Sequence, residues 1–116
     1  MRSIAGKYMN DGIRVNAICP GTVATGLLEA AAWKTFPQEY FTPVSVIVDT
    51  VLKLIDGNEV VDAKGILAEA GEVFGKAVEI NVNNFYIRDQ YEYCDQAMAN
   101  VMGSTNRDNI QPTSKA

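Results

Sequence analysis

Residues 10–21 set a helix stop, a β-strand and a strand breaker in immediate succession, and few folds accommodate that order. Arg2 to Met9 reads as the last turns of a helix, with Ile4 and Tyr8 on one face. Asn10-Asp11-Gly12 stops it, and Gly12 suits the left-handed position that follows a helix. Ile13 to Cys19 then alternates apolar residues at 13, 15, 17 and 19, while Ile18 adds apolarity to the other face. Pro20-Gly21 ends the strand. A strand that follows a helix this closely, apolar on both flanks, fits an α/β fold whose parallel sheet is covered by helices.

The remaining chain supports that class. Thr22 to Gly26 is a loop of small residues, Leu27 to Trp33 a short helical run, and Lys34 to Phe41 an irregular aromatic stretch. Thr42 is expected as the cap of a helix with Pro43 at its first position. Its apolar stripe is Val44, Ile47, Val48, Val51, Leu52 and Ile55, and Gly57 closes it. Asp56 to Lys64 reads as an exposed polar connection, and Ile66 to Gly75 fits strand or helix equally. Ala77 to Val82 is a second strand, Asn83-Asn84 a turn, Phe85 to Arg88 a short strand, and Asp89 to Met102 a helix. Residues 1–102 are expected to fold, and 103–116 to form a disordered polar tail.

Composition removes whole classes of chemistry. The 116 residues include no histidine, which excludes Ser-His-Asp and Cys-His nucleophile systems and His-ligated zinc. Two cysteines, Cys19 and Cys94, are too few for a disulfide scaffold or an all-cysteine zinc site. Cys19 reads as a small apolar strand residue. Glu59, Asp62, Glu69 and Glu72 read as a solvated face, so no metal site is expected. A net charge of -4 without a basic cluster argues against nucleic acid and anionic membrane surfaces as partners. The first residues lack the apolar core of a signal peptide, and the expected setting is the reducing cytoplasm.

The run Gly12-Ile13-Arg14-Val15-Asn16-Ala17-Ile18-Cys19-Pro20-Gly21-Thr22-Val23-Ala24-Thr25 resembles the strand-and-loop signature of the short-chain dehydrogenase/reductase family. The resemblance implies the C-terminal part of a doubly wound, Rossmann-like parallel sheet, incomplete in itself. In such sheets ligands lie beyond the carboxyl ends of the strands, where Pro20 and Gly21 fall. The implied cofactor is NAD or NADP. By resemblance, Val23 meets the nicotinamide carboxamide through its main-chain N–H and C=O. The Thr25 hydroxyl bonds the carboxamide or a phosphate oxygen, or caps a helix beginning near Leu27. Gly21 has no Cβ and lets a planar ring approach. Leu27, Leu28, Trp33 and Phe36, with Tyr40 and Phe41, occupy the place of the family's substrate lid, which implies an apolar alcohol or ketone; core packing or a dimer contact explains them equally. Glu79, Asn81 and the stretch from Phe85 to Cys94 look like fungal members similar to hydroxyprostaglandin dehydrogenases. The last sheet strand, Ala77 to Val82, is a place for a homo-oligomer contact.

Two parts of the family pattern are absent from these residues. No glycine-rich phosphate turn occurs, and no tyrosine is followed four positions later by lysine. That pair lowers the barrier to proton transfer, because a free phenol loses its proton only near pH 10. No catalytic residue is therefore assigned. The uncapped helix start suggests that the pair lies just upstream, in a longer coding sequence. The resulting expectation is an oxidoreductase fragment, inactive alone. Its alternative is a non-catalytic interaction or oligomerisation module derived from the same fold.

Overall fold

A computed structural model describes residues 1–104. It is α/β: a three-stranded sheet in the order β1-β4-β5 and a separate two-stranded hairpin, β2-β3. The elements are α1 (Arg2–Asn10), β1 (Ala17–Pro20), α2 (Ala30–Trp33), a 3-10 turn (Gln38–Tyr40), α3 (Val44–Asp56), β2 (Val60–Val61), β3 (Leu67–Ala68), β4 (Ala77–Asn81), β5 (Asn84–Arg88) and α4 (Gln96–Ser104). β1 runs parallel to β4 with Ala17 opposite Ala77, and β5 returns antiparallel with Ala77 opposite Arg88. The parallel pair joined through α3 makes this a small, incomplete Rossmann-like sheet.

Helix α1 ends as expected. Gly12 adopts φ +77°, and the N–H groups of Gly12 and Ile13 donate to the carbonyls of Met9 and Tyr8 at 2.9 and 2.8 Å. Its buried residue, Ala5, packs on Gly75, where an added Cβ would stand 3.2 Å from the Ala5 methyl.

The first strand is shorter than the alternation suggests, because its partner β4 starts only at Ala77. Before Ala17 one backbone bond remains, Gly75 N to Val15 O at 2.7 Å, and the Asn16 amide supplements it. Its Nδ2 donates to Val73 O at 3.1 Å, and its Oδ1 accepts from Lys76 N at 3.0 Å. Pro20 is the last residue of the strand rather than a breaker beyond it. It is tolerated because β1 is an edge strand, where a missing N–H costs no ladder bond. Cys19 lies in β1, as expected, and is exposed.

The core comprises Leu54, Val60, Ala68, Val73, Val78, Ile80 and Ile87, with Val46, Ile47 and Phe85 packed against it. Helix α3 buries Thr50 and Leu54; of the expected stripe, Ile47 packs against the core while most of the rest faces water. Val44, Val48, Leu52 and Ile55 are exposed by 48–61 %. The helix is apolar around most of its circumference, and the narrow sheet selects only one side. Gly57 closes it at φ +69°. Arg14 reaches across to donate to Leu54 O at 2.7 Å and to Ile55 O.

The segment expected as an exposed connection contains β2, with Val60 buried. Asp62 is buried too, which corrects its placement on a solvated face. Its Oδ1 accepts from the N–H groups of Lys64 and Ile66 at 2.8 Å each, and its Oδ2 from Ile87 N at 2.9 Å. Burial pushes this carboxyl up; the three N–H donors and the Lys64 charge outweigh it and hold the pKa below the ordinary value.

The β4–β5 turn is Val82-Asn83, one residue earlier than expected. Helix α4 begins at Gln96, not Asp89, because Asp95 Oδ1 accepts from Met98 N at 2.7 Å in the manner of an N-cap. It continues through Ser104, so the first two residues of the expected tail are helical. The rest of that tail, 105–116, lies outside the described residues.

Candidate functional site

The C-terminal end of the parallel pair is where the chain gathers its candidate residues. Gly21 N donates to Ile80 O at 2.7 Å, which ties the exit of β1 to the end of β4. Thr42 N donates to Thr22 O at 2.7 Å. The loop root is thus fastened to β4 on one side and to the entry of α3 on the other. Val23 is half-buried and Thr25 exposed, so the loop stands at the sheet's edge and does not turn into the core.

Gly21 is required sterically. A Cβ here would stand 2.5 Å from Asn81 Oδ1 and 3.2 Å from Thr42 Oγ1. Past that point the main chain opens. Among the described residues the N–H and C=O of Val23 have no hydrogen-bond partner. An unpaired donor and acceptor side by side match the two faces of a carboxamide. Thr25 Oγ1 accepts from Leu27 N at 3.2 Å, a local turn; its hydroxyl proton is left to donate outward. The helix expected from Leu27 starts only at Ala30, so Thr25 does not cap it.

The proposed lid residues divide. Trp33, Phe36 and Phe41 form an aromatic cluster with ring centroids 5.6, 5.8 and 6.5 Å apart. Trp33 Nε1 donates to Thr25 O at 2.7 Å, so the cluster is tied directly to the loop. Gln38 Nε2 clamps the turn through Trp33 O and Phe36 O at 3.1 and 2.9 Å. Leu27 and Leu28 are not drawn in; Leu27 is 85 % exposed.

Thr42 is not the helix cap that its sequence position suggests. The helix cap is Pro43, with no side-chain cap bond. The Thr42 hydroxyl instead accepts from Val82 N at 2.9 Å, forty residues away. No local spacing signals such a partner. A groove of about 470 Å³ lies elsewhere, between β1 and α3, lined by Arg14, Asn16, Ile18, Val51, Leu54 and Ile55. None of the loop residues borders it. Among the described residues no group of three Cys, Asp or Glu is placed to hold a metal ion, and no helix is long and apolar enough to cross a membrane.

Comparison with known proteins gives a consistent set of relatives. The chain is 44 % identical over 110 residues to short-chain dehydrogenase/reductase prx7 of Penicillium rubens, covering 90 % of this chain and 39 % of that protein. It is 37 % identical over 46 residues to short chain dehydrogenase adrF of Penicillium roqueforti, covering 40 % of this chain and 18 % of the relative. Oxidoreductase UcpA of Escherichia coli K12 is 44 % identical over 48 residues, 41 % of this chain and 17 % of its own length. The chain therefore spans well under half the length of these relatives. No family profile matches it, and no solved structure matches it.

Proposed function

Because this chain belongs to the short-chain dehydrogenase/reductase family, we propose that it supplies the nicotinamide-facing part of an NAD(P)-dependent oxidoreductase acting on an apolar alcohol or ketone. The observation that carries this reading is the loop at the exit of the parallel pair. There an unpaired Val23 peptide and an outward Thr25 hydroxyl stand beside a glycine that permits close approach. When bound, the nicotinamide gives or takes the hydride. The chain's own residues bind and orient: Val23 holds the carboxamide, and Thr25 holds the carboxamide or a phosphate oxygen. The Trp33–Phe36–Phe41 cluster excludes water and meets the apolar part of the substrate. Proton transfer falls to groups outside these residues, since no Tyr-x3-Lys pair is present. The 116-residue chain alone is then inactive. Its two free, exposed cysteines fit the reducing cytoplasm.

A second reading, a non-catalytic module that docks on another subunit, draws on the exposed apolar side of α3. One chimera separates the two. This chain replaces the segment it matches in the Penicillium rubens relative, and reduced dinucleotide binding is followed by its fluorescence. The oxidoreductase reading expects binding, weakened about tenfold or more by Val23→Pro, which deletes the N–H. A folded chimera that binds no dinucleotide where its parent does would refute it and favour the docking module.

A further inference from the structure

Thr42 is 2 % exposed and touches three separate segments. Its N–H holds Thr22 O at 2.7 Å, its Oγ1 accepts from Val82 N at 2.9 Å, and that same oxygen faces the Cα of Gly21. Val82 is held at φ +55°, a left-handed conformation that a β-branched residue rarely adopts. Such a conformation persists only where neighbouring contacts hold it, and Thr42 supplies one of them through the Val82 N–H. Beyond Thr22, among the described residues, the loop has no further main-chain anchor until Thr25 O meets Trp33 Nε1.

We propose that Thr42 is the positioning residue of the nicotinamide loop: its hydroxyl ties the loop root to the β4–β5 turn and sets where the Val23 peptide stands above the sheet. This rests on the reading that Val23 and Thr25 meet a nicotinamide. Without the hydroxyl, the Val82 N–H loses its partner, the turn relaxes, and the Thr42 main chain moves with it. The Val23 donor and acceptor then shift together, and positional errors of about 1 Å are costly where a ring must be held.

The test uses the full chain, isotopically labelled, with Thr42→Val as the near-isosteric loss and Thr42→Ser as the rescue. Two signals are followed: the main-chain amides of residues 22–25, and the indole N–H of Trp33, the single tryptophan. Each substitution is also placed in the chimera with the Penicillium rubens relative, which is titrated with NAD and with NADP. Thr42→Val is expected to move the Val23 amide and the indole and to weaken dinucleotide binding by about tenfold, with the circular dichroism spectrum unchanged. Thr42→Ser restores both. The proposal is overturned if Thr42→Val disturbs only Val82 and the hairpin, or if the loop moves without any change in affinity. Should Thr42→Val not fold, Thr42→Cys, a weaker acceptor, replaces it under the same criteria. A wild-type chimera that binds neither dinucleotide where its parent does sinks the function proposed above, while the loop signals still decide the role of Thr42.

Discussion

Asn16 uses both ends of its amide to join two stretches of backbone that lie 57 and 60 residues away. Removing that amide strands Val73 O and Lys76 N where the sheet begins, and leaving such groups unpaired costs about 1–3 kcal/mol. Asn16→Ala should therefore lower the unfolding free energy by that amount, read as a lower urea midpoint with the slope unchanged; an unaltered midpoint would remove Asn16 from the framework. Asp62 makes a matching demand with a charge. The folded protein keeps it ionised more readily than the unfolded chain does, against the cost of its burial. Its stabilising contribution is complete above the ordinary carboxylate value of 3.8 and is lost as the pH falls through the lower folded value. Stability measured from neutrality into acid should fall there, and Asp62→Asn should flatten that part of the curve while lowering the plateau. The left-handed positions at Gly12 and Gly57 were legible from the sequence because a helix end dictates them locally. The partners of Asn16, Thr42 and Asp62 were not, since each lies at least 25 residues off along one or more of its bonds.

Among the elements, α3 shows most clearly what periodicity can and cannot say. Its extent and its glycine stop follow from the pattern, but six apolar positions cannot reveal which side a three-stranded sheet will cover. Tertiary packing chose Thr50 and Leu54, with Val46 and Ile47 beside them. The strand β1 was overextended for a related reason: alternation marks residues able to pair, while β4 decides how many do. The C-terminus of α3 carries a prediction of its own. Gly57 is left-handed, and an added methyl would collide with the Arg14 guanidinium that caps Leu54 O and Ile55 O. Gly57→Ala thus combines backbone strain with the loss of that cap and should cost about 1–3 kcal/mol. Arg14→Ala alone should cost less, because water can reach the exposed carbonyl of Ile55, and adding it to Gly57→Ala should lower stability by less than the sum of the two. Thermal melts of the three variants test this; strict additivity would mean that the two residues do not meet.

At the scale of the molecule, the loop at the exit of β1 and the aromatic cluster tied to it stand at one end of a sheet that leaves much apolar surface in water. That exposed surface is apolar and contiguous along one helix side. Val44, Val48, Leu52 and Ile55 are 58, 48, 52 and 61 % exposed on one side of α3, and Ile13 and Ile18 add 50 and 39 % near the open edge of β1. Apolar patches of this kind drive association or dye binding, and they weaken the balance between burial and chain entropy. The isolated chain should enhance the emission of a hydrophobic dye at neutral pH and sediment as a concentration-dependent mixture. Charging the outer side of α3 with Val48→Glu and Leu52→Lys should reduce both effects while sparing the circular dichroism signal, since neither side chain belongs to the core. Were the wild-type chain to stay monomeric at high concentration and leave the dye dark, the exposed side of α3 would have to be shielded from water by the chain itself, and the arrangement of helix on sheet described here would be wrong.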